Sequence, residues 1–328
     1  MIGEKLGKFT ILETIGSGTM GTVYKAEDPA DGSRVAIKLV KSQILTDPEK
    51  RERFLQGLLA GSEIKHPAIC PILEIGDDND DFFVVMPLLD GETLSKRIAR
   101  GPLPWKKALE MALPVAEALA AGHAAGATHR GLKPANVWLR KDGGVLLTDF
   151  GLARFTEIER RRRTPACQSK TEFADMVIPM AALGHMSPEQ VRGGRVDHRT
   201  DIFSFGAMLY EMLTGVHPYE ARNSLSRMHA IVEGHPPPVG TRGIPLPPEL
   251  NSILDRALAK SPSDRYQRME ELLAALRNVE KHGEAPVPVA KGDAASRVDV
   301  SRYRARYFII ALLLALIAAA YLLWRRSM

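Results

Sequence analysis

Cysteine is scarce: the 328 residues hold two, Cys70 and Cys167. Two thiols exclude a disulfide framework and fit a reducing compartment. No Cys/His cluster has zinc-site spacing. Charge of one sign is also in short supply. The net charge of +5 is small, and two arginine clusters hold much of it, so composition gives no broad basic face for nucleic acid. The opening stretch, MIGEKLGKFT, has no apolar core of signal-peptide length. No segment repeats.

One apolar run is long. Tyr307 to Trp324, YFIIALLLALIAAAYLLW, carries no charge over 18 residues. As a helix it spans about 27 Å at ~1.5 Å per residue, close to the ~30 Å hydrocarbon core of a bilayer. Arg302, Arg304 and Arg306 precede it, Arg325 and Arg326 follow it, and aromatics stand at both ends. A buried core helix seldom stays apolar on every face for this length. A transmembrane helix is therefore expected over 307–324, after a flexible juxtamembrane linker over 283–306 rich in Pro, Ala and Ser. The basic excess on the N-terminal side places the preceding residues in the cytoplasm. The expectation is a single-pass, C-terminally anchored protein of the cell membrane.

The rest divides by pattern. Residues 9–89 read as short strands (FTILETIG, TVYKAED, RVAIKLV, DFFVVMPLL) around one helix, DPEKRERFLQGLLAGSEIKH, that ends before Pro67. Residues 90–282 are mainly helical, with VLLTDF as a strand. Gly16-x-Gly18-x-x-Gly21 alone is a weak signal, shared with dinucleotide-binding folds. There a helix follows; here a strand does, so the glycines and Ser17 read as a hairpin tip whose backbone can lie over phosphates. An ordinary Gly-rich hairpin is the alternative. Lys38 sits in the apolar strand VAIK, and an inward lysine needs an anion; an edge lysine pointing to water is the alternative. Asn136 and Asp149, thirteen apart around a strand, can offer oxygens to magnesium.

These motifs, with THRGLKPAN at 128–136, DFG at 149–151, SPEQ at 187–190, DIFSFG at 201–206 and SPSDRY at 261–266, follow one another in order. Over roughly residues 9–280 the sequence resembles the protein kinase superfamily, most closely the bacterial eukaryotic-like Ser/Thr kinases. The resemblance implies an α+β, two-lobed fold: a small, mainly β lobe over 9–89 and a large, mainly α lobe over 90–282. It implies ATP and Mg2+ as cofactors. Gly16, Ser17, Gly18 and Gly21 would cover the phosphates, and Val23 and Ala36 would roof the adenine. Lys38 would hold the α- and β-phosphates, and Lys133 the transferring one. Met86 falls at the gatekeeper, Pro87 and Leu89 at the hinge, and Trp138 at the adenine floor. Asn136 and Asp149 would hold the metal. Glu189 and Arg265 would form a structural ion pair, and Asp201 would brace the catalytic loop.

Four departures stand against the pattern. Gly131 replaces the aspartate that takes the substrate hydroxyl's proton. Gly57 replaces the helix glutamate that pairs with the strand lysine, and Glu52 and Glu63 point about 140° and 120° away from the needed face. Ala182 replaces the threonine that normally bonds the missing aspartate. Trp138 is bulkier than the usual side chain at its position. Pro114 adds an expected kink in a large-lobe helix. In the activation segment, Arg160 to Arg163 either recruit an acidic partner or form a solvated loop, and Arg130 is retained to pair with a phosphorylated Thr164 or Thr171. The first expectation is a pseudokinase: a membrane-anchored signalling or scaffolding module that binds ATP and meets other proteins, an active kinase or its substrates among them. A weakly active Ser/Thr kinase is the alternative. A cleft that holds no nucleotide is a third reading.

Overall fold

The computed structural model describes residues 1–18, 21–40, 48–78, 81–152 and 180–284, without the side chains of 48–50, 53, 54, 181, 182 and 241. The linker beyond 284, the apolar run 307–324, Arg160 to Arg163, Thr164 and Thr171 lie outside the described residues. So does the side chain of Ala182. Among the described residues no helix is long and apolar enough to cross a membrane.

The small lobe is one six-stranded antiparallel sheet. Its strands are β1 (Lys5–Leu6), β2 (Phe9–Ser17), β3 (Gly21–Glu27), β4 (Arg34–Val40), β5 (Glu74–Asp78) and β6 (Asp81–Pro87), in the order β1-β2-β3-β4-β6-β5. Side chains alternate between faces along each strand. Val35, Ile37, Phe83 and Val85 pack with Leu6, Phe9 and Ile11 on one face. Val40, Phe82 and Val84 lie on the other, against Leu58 of helix α1 (Pro48–Ser62) and Leu152. Because β6 is covered on both faces, FFVV reads as an unbroken apolar run rather than an alternation. Gly21 is dictated by strand pairing: a Cβ there would fall 1.9 Å from the Leu39 carbonyl oxygen on β4.

Helix α1 ends at Ser62 rather than near His66. His66 precedes Pro67, which biases it away from helical geometry, and its Nδ1 accepts a hydrogen bond from the Ala68 amide. β5, with the polar sequence EIGDD, and the three-residue strand β7 (Gly91–Thr93) are not expected from sequence. β7 joins β8 (Val137–Arg140) and β9 (Val145–Leu147) in a small sheet of the large lobe.

The large lobe is helical: α2 (Leu94–Ile98), α3 (Trp105–Ala124), α4 (Met180–Leu183), α5 (Pro188–Val191), α6 (Arg199–Thr214), α7 (Ser224–Glu233), α8 (Pro248–Ala257) and α9 (Met269–His282). α3 continues through Pro114. Its Leu109, Ala112, Ala116 and Leu119 meet Phe205 and Leu209 of α6 and Leu272 and Leu276 of α9 in the main core. Arg265 is fully buried. Its guanidinium bonds both Glu189 oxygens at 2.8 Å, donates to the carbonyls of Arg199, Ala259 and Lys260, and stacks 4.9 Å from the Phe203 ring centre. The expected ion pair is therefore present, with each guanidinium nitrogen occupied, which burial of a cation requires.

His217 is locked neutral. Its Nε2 donates to the Gly184 carbonyl at 2.8 Å, and its Nδ1 accepts from the Tyr219 amide at 3.0 Å. Burial, reinforced by His185 and Arg227, pushes its pKa down to about 3. An unfolded imidazole titrates near 6.5, so below that pH the unfolded chain binds a proton that the folded one refuses, and stability falls with acid until about pH 3. His217→Gln, which can keep both bonds, is expected to make the loss of stability between pH 7 and 4.5 shallower by up to one proton's worth. Urea midpoints across that range measure it.

Candidate active site

Lys38 reaches the site because β4 alternates. Ala36, Lys38 and Val40 share the face opposite Val35 and Ile37. Its ammonium is nearly buried and bonds both carboxylate oxygens of Asp149 at 2.8 Å. Asp149 follows β9 with φ 65°, a left-handed conformation that a non-glycine residue keeps only when its surroundings enforce it. The enforcement is visible next door. The Phe150 ring lies edge-on to His129, with centroids 5.1 Å apart, and against Gly122 of α3, where a Cβ would fall 2.1 Å from the ring. Burial alone raises the Asp149 carboxyl. The Lys38 ammonium, with smaller help from His129 and Lys133, outweighs it and holds the group below the usual carboxylate range.

Helix α1 meets this segment backbone to backbone. A Cβ on Gly151 would fall 2.4 Å from the Gly57 carbonyl oxygen, and one on Gly61 would fall 3.0 Å from the Phe150 carbonyl oxygen. So the position where a glutamate is expected faces the DFG main chain, and Lys38 takes Asp149 as its anion instead. Beside Gly61 a cavity of about 20 Å³, lined by Cys70, Val84, Met86, Asp149 and Phe150, has room for about one water. Burial, then the Asp149 charge, pushes the Cys70 thiol up to about 12, so it is not a nucleophile.

The catalytic loop hangs from Asp201 of α6. The His129 and Arg130 amides donate to its two oxygens at 2.8 and 2.7 Å, and His123 Nε2 lies 2.8 Å from one of them. His129 Nε2 contacts the Thr148 carbonyl at 3.0 Å, which leaves Nδ1 to accept from the Gly131 amide at 3.2 Å. Burial alone raises the Asp201 carboxyl, but the His123 hydrogen bond, with His129 and the Arg130 amide, outweighs it and holds the group below the usual carboxylate range. Asn136 Nδ2 donates to the Gly131 carbonyl at 3.0 Å, and its Oδ1 lies outside that bond. Lys133 is half-buried. Burial pulls its pKa down and Lys38 adds to that, while Asp149 opposes. Among the described residues, the two carboxylates bonded in around the loop are committed: Asp201 to backbone amides and His123, Asp149 to Lys38.

The sheet registers bring together the residues expected on the nucleotide side. Val23 lies opposite both Gly16 and Lys38, Met86 opposite Ala36, and Pro87 opposite Val35. The Gly18 amide bonds the Gly21 carbonyl at 2.9 Å and closes the hairpin tip. No atom lies within 4 Å of a Cβ built on Gly18, and the nearest to one on Gly16 is 3.9 Å away, so the tip is open in a way that Gly21 is not. Leu89 is half-buried after β6. Trp138, on β8 between Thr93 and Leu146, is half-buried too. His123 and Gly122 were not expected in the site. Both belong to the helical run of α3, where nothing but a glycine and a histidine on a buried face marks them.

Residues 9–275 match the protein kinase domain family. The chain is 31% identical over 279 residues to the serine/threonine-protein kinase PrkC of Bacillus subtilis, covering 84% of this chain and 41% of PrkC. It is 31% identical over 302 residues to PknD of Mycobacterium tuberculosis, covering 90% of this chain and 43% of PknD. It therefore spans about two-fifths of the length of the curated relatives it matches. Among solved structures, the kinase domain of Mycobacterium tuberculosis PknI superposes with a TM-score of 0.65 at 25% identity, over 86% of this chain and 98% of that one. The chain belongs to the protein kinase family and has its two-lobed fold.

Because Lys38 and Asp149 are each other's counter-ions in a nearly dry site, removing one strands the other. Asp149→Asn is expected to cost about 3 kcal/mol or more of folding stability. The double variant Lys38→Met/Asp149→Asn should lose clearly less than the sum of the single changes. A denaturation cycle over the four proteins measures that coupling.

Proposed function

We propose that this member of the protein kinase family binds Mg-ATP between its lobes and transfers the γ-phosphate, slowly, to serine or threonine of other proteins. The observation that carries the reading is that Lys38 and Asp149 pair beside the loop at 129–136, where Asn136 bonds Gly131 and the loop amides are held by Asp201. Relatives that are named serine/threonine kinases support it. A carboxylate and an amide oxygen are hard donors that suit Mg2+. Among the described residues no cluster of three or more His, Cys, Asp or Glu exists to hold a cation, which fits a metal that takes its remaining ligands from phosphate and water. Bound there, Mg2+ neutralises phosphate charge. Lys38 would release Asp149 and turn to the phosphates, with Gly16 and Gly18 above them. Lys133, protonated, would face the transferring group.

The missing base sets the rate. A positioned general base is worth about 10²–10⁴-fold. Transfer itself runs through a loose transition state that depends mainly on positioning and charge. With kinases at about 1–100 s⁻¹, turnover here is expected at about 10⁻⁴–1 s⁻¹. The joint replacements Gly57, Gly131 and Ala182 favour a second reading, in which the same fold binds nucleotide and partner proteins without turnover. The uncharged run 307–324 supports membrane anchoring under either reading.

In the test, Mg-ATP raises the melting temperature of the purified chain by mass action. Labelled phosphate transfer is slow, vanishes in Lys38→Met, and rises at least a hundredfold in Gly131→Asp. A thermal shift with no transfer from either the parent or Gly131→Asp decides for the second reading. No thermal shift at all rejects both.

A further inference from the structure

Arg130 is the second non-glycine residue with positive φ, at 61°. It stands directly before Gly131, so its twist sets the direction of the chain through the position of the missing base. Such a conformation persists only when its surroundings hold it. Its amide is held by Asp201 at 2.7 Å. Its carbonyl is held from elsewhere: Gln190 of α5 donates Nε2–H to it at 2.8 Å.

Gln190 is buried, and its other end is fixed as well. Ser187 and Gln190 form a capping box, in which the Ser187 amide donates to Gln190 Oε1 at 3.0 Å and the Gln190 amide donates to the Ser187 hydroxyl at 3.4 Å. That arrangement also settles the amide orientation. Only with oxygen toward the Ser187 N–H and nitrogen toward the Arg130 carbonyl are both partners satisfied. Glutamate serves a capping box as well as glutamine does. It would, however, aim a second acceptor at the Arg130 carbonyl. The capping box alone does not require an amide here; the contact with Arg130 does.

We propose that Gln190 is a positioning residue, which clamps the left-handed Arg130 peptide and so ties the aim of the catalytic loop to the end of the activation segment. Ala182 and Gly131 cannot make a hydroxyl–carboxylate link between those two segments, and Gln190 bonds one to the other. The inference deepens the proposed phosphotransfer reading, but it concerns the shape of residues 129–131, which can be followed without substrate. The charged groups around the contact are Glu189 on the same helix, paired with Arg265, together with Arg130 and Asp201 across it.

The test uses the full chain and the variants Gln190→Glu and Gln190→Met. At pH 7.5, Gln190→Glu keeps the capping box and loses the clamp. Amide hydrogen exchange over 128–133 is expected to quicken at least tenfold while α6 and α9 keep their parent protection. Below about pH 5 the new carboxyl gains a proton and can donate again, so the melting-temperature gap to the parent should narrow. Gln190→Met, which cannot donate at any pH, should show the same exchange increase and a gap that does not narrow. Where transfer is measurable, kcat should fall with little change in KM for ATP. Unchanged exchange over 128–133 in both variants would overturn the proposal, as would a melting gap in Gln190→Glu that is independent of pH. Exchange is read without nucleotide, so the clamp is tested even in a chain that transfers no phosphate.

Discussion

The loop around residues 129–131 depends on one buried carboxylate. Asp201 has no exposed surface, yet it carries a charge, and it does so by accepting from two successive backbone amides and lying against His123. Hydrogen bonds to an ionised group are worth about 1.5–3 kcal/mol each, and an unpaired carboxylate at that depth would be untenable. The loop is therefore not free to follow its own side chains. It takes the shape that satisfies Asp201, and His129, Arg130 and Gly131 inherit their directions from it. Loss of the aspartate at 131 removes a side chain from this frame without removing any of the bonds that hold the frame.

The small-lobe side shows a different kind of replacement. The helix glutamate expected to pair with the strand lysine is absent, and Lys38 and Asp149 close on one another at 2.8 Å. Gly61 and Gly151 let helix α1 and the DFG main chain approach so closely that a side chain at either would crowd a carbonyl oxygen of the other segment. Leu58 of the helix is fully buried with Val40, Phe82 and Leu152. Helix α1 is thus positioned by packing where an ion pair would otherwise do it. Packing of this kind is non-directional and does not depend on nucleotide charge.

Much of this was legible in the residues. Lys38 is a charge set in an apolar strand, and burial forces such a group to find an anion, whereas Glu189, Arg265 and Asp201 were legible only through the resemblance of SPEQ, SPSDRY and DIFSFG to kinase motifs. The strands FTILETIG, TVYKAED and RVAIKLV followed from alternation and β-branching. Other features left no such trace. β5 is polar because only part of it is covered. α1 ends at Ser62 in local bonds, with the Ser62 hydroxyl donating to the Leu59 carbonyl and the Ile64 amide to the Gly61 carbonyl. The contact of Gln190 with Arg130 spans sixty residues from side chain to main chain, and no periodicity records a bond of that type. Gly21 carries a lesson of its own. It belongs to the phosphate-loop motif by spacing, yet its absent side chain is explained by the Leu39 carbonyl alone.

The Glu189–Arg265 pair bears on how much of the chain can be dispensed with. The two residues lie 76 positions apart, on either side of α6, α7 and α8. A fragment trimmed at Ala257 would retain the helices around Phe205 but strand the Glu189 carboxylate beside Thr200 with no Arg265 to neutralise it. The smallest self-standing piece therefore runs past Arg265 and through α9, however little those last helices contribute to the cleft.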